Sequence, residues 1–176
     1  MTDQNAEQAA GHPASKPEAA LKLDEFLPYR LNVCANLVSQ ALSRIYAERY
    51  KIGVPEWRVL VTLGEFGMMT AKAIGLHSHM HKTKVSRAVA LLERRKLVSR
   101  KANRADLREA FLSLTPAGRE IYEELAPIAL DFAHQLMETV DAADRAALDR
   151  ALSKLIERSA QLTTNLANAR QPGRAP

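Results

Sequence analysis

Apolar residues recur at steps of three and four along most of this chain, and that spacing is the pattern of amphipathic α-helices. It predicts a long first helix over residues 27–50, whose apolar face carries Leu31, Cys34, Val38, Ala41 and Ile45. Further helices are predicted over about residues 55–66, 70–78, 82–95, 116–136 and from 141 onward.

The pattern changes between the fourth and fifth helices. Residues 98–101 and 110–114 have the character of short strands, and the residues between them are polar and charged, which predicts a β-hairpin with an extended tip. Thr70 is a suitable cap for the third helix. Thr115 and Pro116 supply the cap and first position of the fifth helix, and Pro127 predicts a kink within it. The fold class is therefore mainly α with a small β-hairpin wing.

Helices two to four followed by a hairpin have the order of a winged helix-turn-helix. The fourth helix places Val85, Val89 and Leu92 on an inner face, where they would dock on the other helices. Its outer face is polar near the N-terminal end, the end that meets base edges in the major groove. The outward residues are Lys82, Thr83, Lys84, Ser86 and Arg87. Taken alone, this segment could equally be an ordinary solvated basic helix.

The distribution of charge favours the first of these interpretations. The chain carries a net charge of +5, yet residues 82–108 alone hold ten basic and two acidic residues. The remainder of the chain is therefore net negative. Positive charge concentrated in one segment is typical of proteins that bind a polyanion such as DNA.

The composition of the chain limits the classes of protein to which it can belong. Hydrophobic residues make up 47% of the 176 residues, enough for a packed core, and no apolar run is long enough to span a membrane. The N-terminus lacks the pattern of a secretion signal, and a single cysteine, Cys34, forms no internal disulfide. These features predict a cytoplasmic protein without membrane association. Motifs of enzymes are missing from the sequence, so we expect neither catalysis nor a cofactor.

Several segments resemble the MarR family of transcriptional regulators. They are residues 55–60 (PEWRVL), 81–89 (HKTKVSRAV), 92–98 (LERRKLV), 106–108 (DLR) and 112–119 (LSLTPAGR). The similarity extends over about residues 23–166, and the wing pattern with its following strand is the most specific part.

The resemblance implies a division of the chain and a set of DNA contacts. Residues 55–116 would form the DNA-binding domain, residues 23–54 and 117–168 the helical dimerisation region, and residues 1–22 and 169–176 flexible tails. Arg108 would enter the minor groove with Asp106 holding it, although a simple surface ion pair is the alternative. His81 and Arg104 complete the predicted DNA-binding set with the five outward residues of the fourth helix. Lys96 departs from the family, which commonly has glycine there.

The resemblance also implies a homodimer. The first and last helices would pack against a second subunit, which explains the apolar positions of both. In the last helix these positions are Leu148, Leu152, Leu155, Ser159, Leu162 and Leu166. Two recognition helices about 34 Å apart would read a pseudo-palindromic double-stranded operator. The alternative is that both apolar faces pack within one chain.

A small-molecule effector is the last implication. Its predicted pocket is lined by Tyr29, Arg30, Val33, Leu37 and Trp57. These residues suit a small aromatic carboxylate or its coenzyme A thioester, whose binding would release a repressor, for instance one of aromatic-compound catabolism. Arg30 would pair with the carboxylate, although a structural pair with Asp24 or Glu25 is as reasonable.

Two alternatives stay open for regulation. The protein could bind DNA without any effector. It could also respond to a metal or to oxidation, through His77, His79 and His81 or through Cys34. We expect no metal, because the three histidines span a helix end, a turn and a helix start, and we expect Cys34 to be a buried, inert thiol.

Overall fold

The computed structural model describes residues 21–102 and 109–169, and the chain divides into two compact units, up to Ala41 and from Leu42. The helices are α1 (Leu27–Tyr50), α2 (Val54–Phe66), α3 (Ala71–Ser78), α4 (Lys82–Arg94), α5 (Pro116–Met137) and α6 (Ala142–Ala169). The strands are β1 (Met69–Thr70), β2 (Val98–Ala102) and β3 (Ala110–Leu114). The mainly helical class with a small hairpin is thereby confirmed.

The strands form one antiparallel sheet in the order β1-β3-β2. Strand β2 pairs with β3 from Val98 opposite Leu114 to Ala102 opposite Ala110, and this pairing is the predicted hairpin. Strand β1 was not predicted. Only two residues long, it exists because Met69 lies opposite Leu112 and Thr70 opposite Phe111, which are partners distant in sequence.

The core lies between α2, α3, α4 and the sheet. Helix α2 contacts α3, α4, α5 and β3. The largest completely buried side chains there include Leu60, Leu63, Ile74, Leu92 and Leu112. Val85, Val89 and Leu92 are buried, so the predicted inner face of the fourth helix is confirmed.

Two threonines begin helices as the sequence predicts. The Thr70 hydroxyl accepts a hydrogen bond from the Ala73 amide at 3.2 Å, and the Thr115 hydroxyl accepts one from the Gly118 amide at 3.1 Å. Such caps satisfy amides that have no partner within the helix. Helix α5 begins at Pro116 and continues through Pro127 to Met137.

Lys96 ends α4 in the conformation that usually requires glycine. Its φ is +57°, its amide bonds to the Glu93 carbonyl at 2.9 Å, and the next amide, of Leu97, bonds to the Leu92 carbonyl at 2.9 Å. This is a Schellman motif, in which the left-handed residue normally lacks a side chain. The departure at Lys96 therefore changes the residue and leaves the turn intact.

Helices α5 and α6 differ in how many of their side chains are buried. Leu125 is buried in α5, whereas Ile128 and Leu136 are exposed. Among the residues with described side chains, α6 has none that is buried. No helix in the described part of the chain is long and apolar enough to cross a membrane.

Candidate nucleic-acid interface and effector pocket

Helix α4 presents a polar face on an apolar base. Val85, Ala88, Val89 and Leu92 are buried and fix the helix to the core. The opposite side chains are all exposed, and they are those of His81, Lys82, Thr83, Lys84, Ser86 and Arg87. The structure thus brings six of the eight predicted DNA-binding residues together on one surface, which we call the α4 face.

Three cations of the α4 face are not neutralised. Lys82, Lys84 and Arg87 form no ion pair within the described residues. Their charges are free to attract an anion. A phosphate backbone is the polyanion that such a surface fits best.

His81 begins this helix as its cap. Its Nδ1 accepts a hydrogen bond from the Thr83 amide at 3.4 Å, which leaves Nε2 as the protonated ring nitrogen of the neutral side chain. The imidazole therefore orients the first turn of α4 and offers a donor beside it. This capping role was not predicted from the sequence.

An ion pair joins α4 to the first strand of the wing. Arg100 on β2 donates from Nε and an Nη atom to the two carboxylate oxygens of Glu93 on α4, at 2.8 and 3.1 Å. These hydrogen bonds raise the pKa of the Arg100 guanidinium above its ordinary value. Arg100 therefore fixes the wing to the recognition helix, and its charge is less available to DNA than that of Lys101, which is exposed and unpaired within the described residues.

The tip of the wing carries the remaining predictions. Arg104, Asp106 and Arg108 lie outside the described residues, so their predicted roles stay predictions.

Comparison with known proteins shows which family this chain resembles. The profile of the MarR family matches residues 50–109, which include all of the α4 face. A MarR/EmrR family transcriptional regulator from Acinetobacter sp. ADP1 is 28% identical, with a TM-score of 0.73, over 80% of this chain and 99% of that one. Over its DNA-binding segment the chain is therefore similar to the MarR family, and it shares the fold of a solved MarR/EmrR regulator.

Two further solved structures share the fold of this chain. Sco3205 from Streptomyces coelicolor, a MarR family regulator solved in complex with DNA, is 23% identical with a TM-score of 0.70, over 81% of this chain and 91% of that one. BpsR from Bordetella bronchiseptica, whose DNA binding is regulated by 6-hydroxynicotinic acid, is 22% identical with a TM-score of 0.61, over 72% of this chain and 98% of that one. A search of curated proteins finds no match.

Between α2 and α5 the chain has a pocket of about 250 Å³. We call it the α2–α5 pocket, and it is lined by Trp57, Val61, Glu65, Tyr122, Ala126, Ala129 and Leu130. Of the five predicted effector-pocket residues, only Trp57 lies here. Tyr29, Arg30, Val33 and Leu37 lie in the first unit and are exposed, so their role stays a prediction.

The sequence did not indicate the other lining residues. Tyr122 and Ala126 each lie one position after Ile121 and Leu125, which are apolar residues that repeat at helical spacing along α5. Which of two adjacent rows faces a neighbouring helix depends on how the helices pack, and a single sequence does not contain that information.

Trp57 is held rigidly in the wall of this pocket. Its ring stacks on Tyr46 of α1, with centroids 5.2 Å apart and planes 20° apart, and burial raises the pKa of the Tyr46 hydroxyl.

Glu124 of α5 accepts hydrogen bonds from Tyr50 and, at 2.8 Å, from Arg49. The last turn of α1 is thus bonded to α5.

The histidines near the end of α3 and Cys34 are the candidates for a metal or redox sensor. Within the described residues, no group of three or more His, Cys, Asp or Glu side chains could hold a metal ion. His77 packs against Phe66 with ring centroids 4.5 Å apart, and His79 adopts a left-handed conformation at the end of α3. Cys34 is exposed in the single chain, so the burial expected for it is not found within the described residues. Its burial against a second subunit stays a prediction.

Proposed function

We propose that this MarR-family regulator binds double-stranded DNA through the α4 face and controls transcription in response to a small molecule. One observation carries the proposal: three unpaired cations and three further polar side chains share the exposed surface of a helix whose other side is buried. Such a helix is rigid enough to enter the major groove and carries donors for guanine and phosphate. The DNA complex of Sco3205 supports the same use of the fold.

A homodimer is part of the proposal. Helix α6 exposes Leu148, Leu152, Leu155, Leu162 and Leu166 at heptad spacing. Because such a face is unfavourable in water, a second copy of the chain would cover it, and the pair would read a pseudo-palindromic operator in the cytoplasm.

The small-molecule response is supported by the regulation of BpsR by 6-hydroxynicotinic acid and by the α2–α5 pocket. Binding would shift the population toward a dimer whose recognition helices no longer match the operator, and the protein would act as a repressor. The aromatic carboxylate or thioester, with Arg30 as its partner, stays a prediction from the sequence.

The α4 face is tested by direct binding. Duplexes that the purified protein selects from a random pool would serve as the operator, and their affinity would be measured by fluorescence anisotropy. We expect Arg87→Ala to weaken specific binding by about 2 kcal/mol, roughly thirtyfold, and Lys82→Ala to lower the salt dependence by about one counterion.

Lys154→Ala serves as the matched control, because Lys154 is an exposed lysine outside residues 82–108. We expect it to bind as the unaltered chain does. If Arg87→Ala, Lys82→Ala and the control all bound with the same affinity, the proposed interface would be wrong.

A further inference from the structure

The α2–α5 pocket contains a carboxylate without a partner. Glu65 is the one charged residue among the seven that line it. Within the described residues its carboxylate forms neither an ion pair nor a hydrogen bond. Six of the seven lining residues are aromatic or aliphatic, so this single negative charge borders an otherwise apolar surface.

The two aromatic walls are held in place by specific contacts. Trp57 is fixed by its stacking on Tyr46. Tyr122 packs directly on Gly64, where an added Cβ would come within 2.4 Å of the tyrosine ring. Both rings therefore have defined positions before any ligand binds, which lowers the cost of binding a flat molecule between or beside them.

Arg119 is a cation beside the Tyr122 ring, but it already has interactions within the chain. The Arg119 guanidinium carbon lies 5.7 Å from the centroid of the Tyr122 ring, and Arg119 donates a hydrogen bond to the Gly64 carbonyl at 3.2 Å. Arg119 is not a lining residue. A ligand in the pocket therefore meets the Glu65 carboxylate and no lining cation.

The Glu65 carboxylate is exposed, has no partner among the described residues and lines the pocket together with Trp57 and Tyr122. From this arrangement we infer that the α2–α5 pocket binds a planar aromatic cation. A positive charge is attracted both by the carboxylate and by the faces of tryptophan and tyrosine rings. A carboxylate ligand would be repelled and would lose hydration without a partner. This inference names the ligand class of the effector site and rests on the proposed function only for its effect on DNA binding.

The volume limits the size of the ligand. About 250 Å³ lies below the roughly 300–1,000 Å³ that is usual for drug-sized ligands. One or two fused rings fit this space, and a whole coenzyme A thioester does not. The pocket thus differs in both charge and size from what the sequence predicted for the effector.

Trp57 makes the inference directly measurable, because it is the sole tryptophan of the chain. Its fluorescence reports on the pocket wall, with titration calorimetry as a second readout. The probes are three bicyclic compounds of similar shape: N-methylquinolinium (a permanent cation), quinoline at mildly alkaline pH (neutral) and 2-naphthoate (an anion). For the full chain at low salt we expect the cation to bind at least fivefold tighter than the anion, with quinoline between them.

Glu65→Gln removes the charge and keeps the shape of the side chain. We expect it to weaken N-methylquinolinium about fivefold and to leave quinoline unchanged. Glu123→Gln is the matched control, since Glu123 is an exposed carboxylate of α5 that does not line the pocket. It should alter none of the three affinities. Raising the salt concentration should reduce the advantage of the cation in the unaltered chain.

The inference is overturned if 2-naphthoate binds as tightly as N-methylquinolinium, if Glu65→Gln has no effect on the cation, or if no probe binds. Operator affinity, measured separately with and without N-methylquinolinium, distinguishes this result from a failure of the proposed function. Loss of probe binding with intact operator binding refutes only the ligand class. Probe binding without any change in operator affinity supports the pocket and refutes its regulatory role.

Discussion

The segment from α2 to β3 and the helix α6 illustrate two ways in which one sequence specifies structure. The segment from α2 to β3 holds most of the buried core, including Leu60, Ile74 and Leu112. Helix α6 is 28 residues long and has no buried residue with a described side chain. Helices in proteins owe most of their stability to packing. The first region is stabilised by its own chain, and we expect the second to be stabilised by a surface that the described residues of this chain do not provide.

The largest expected effect concerns the junction between β2 and α5, where the segment from α2 to β3 meets the next helix. A Cβ added at Gly118 would come within 2.0 Å of the Leu97 carbonyl oxygen, which belongs to the backbone and cannot rotate away. We expect Gly118→Ala to lower the free energy of unfolding by about 3 kcal/mol, measured by urea denaturation.

Ala117→Ser is a suitable control, because Ala117 is the exposed neighbour of Gly118. It should change the free energy of unfolding by less than about 0.5 kcal/mol. If Gly118→Ala had the same free energy of unfolding as the unaltered chain, α5 could separate from Leu97 without cost. That result would contradict the view that packing within the chain stabilises this region.

Helix α6 should respond in the opposite way, through association rather than through the fold of one chain. Leu155 is 37% exposed in the single chain and does not belong to its buried core, so Leu155→Asp leaves that core intact. In a dimer it would bury a charge, and we expect the free energy of association to weaken by about 2 kcal/mol or more, measured by sedimentation equilibrium.

Arg150→Asp provides the control, because position 150 lies on the opposite side of α6 from the leucines. It should leave the association constant nearly unchanged. Unaltered association of Leu155→Asp would argue that the leucine face of α6 is not an interface, and the homodimer would then need another surface.

The smallest expected effect lies at the end of α4. Replacing Lys96, whose φ is +57°, by glycine relieves the strain of a left-handed side-chain-bearing residue. We expect Lys96→Gly to raise the free energy of unfolding by about 1 kcal/mol, seen as a higher urea midpoint. Lys96→Ala keeps the strain and removes only the amine, so it should stay close to the unaltered chain. Equal stability of the glycine and alanine variants would contradict this explanation.

Much of the fold was predictable because its signals are local. The limits of α1 agree with the sequence prediction, since Pro28 suits a first turn and Gly53 and Pro55 follow the end. Thr70 and Thr115 were predicted as caps, and both accept the expected hydrogen bonds. The α4 face followed from helical spacing alone.

The rest depends on contacts between distant residues. Strand β1 consists of Met69 and Thr70, which become a strand only when β3 is beside them. The partners of Trp57 could not be inferred for the same reason: Tyr46 and Tyr122 come from two other helices. Local pattern therefore located the α4 face and only one residue of the α2–α5 pocket.

Thr115 gives the molecule a rigid joint. Besides capping α5, its hydroxyl donates to the Lys96 carbonyl at 2.7 Å, and its amide donates to the Leu97 carbonyl at 3.0 Å. The residues that close α4 and the residue that opens α5 are therefore bonded as one piece. A tilt of α5 at its origin must displace the end of α4 as well. Under the proposed function, a signal that reaches α5 therefore needs no moving loop to reach the α4 face.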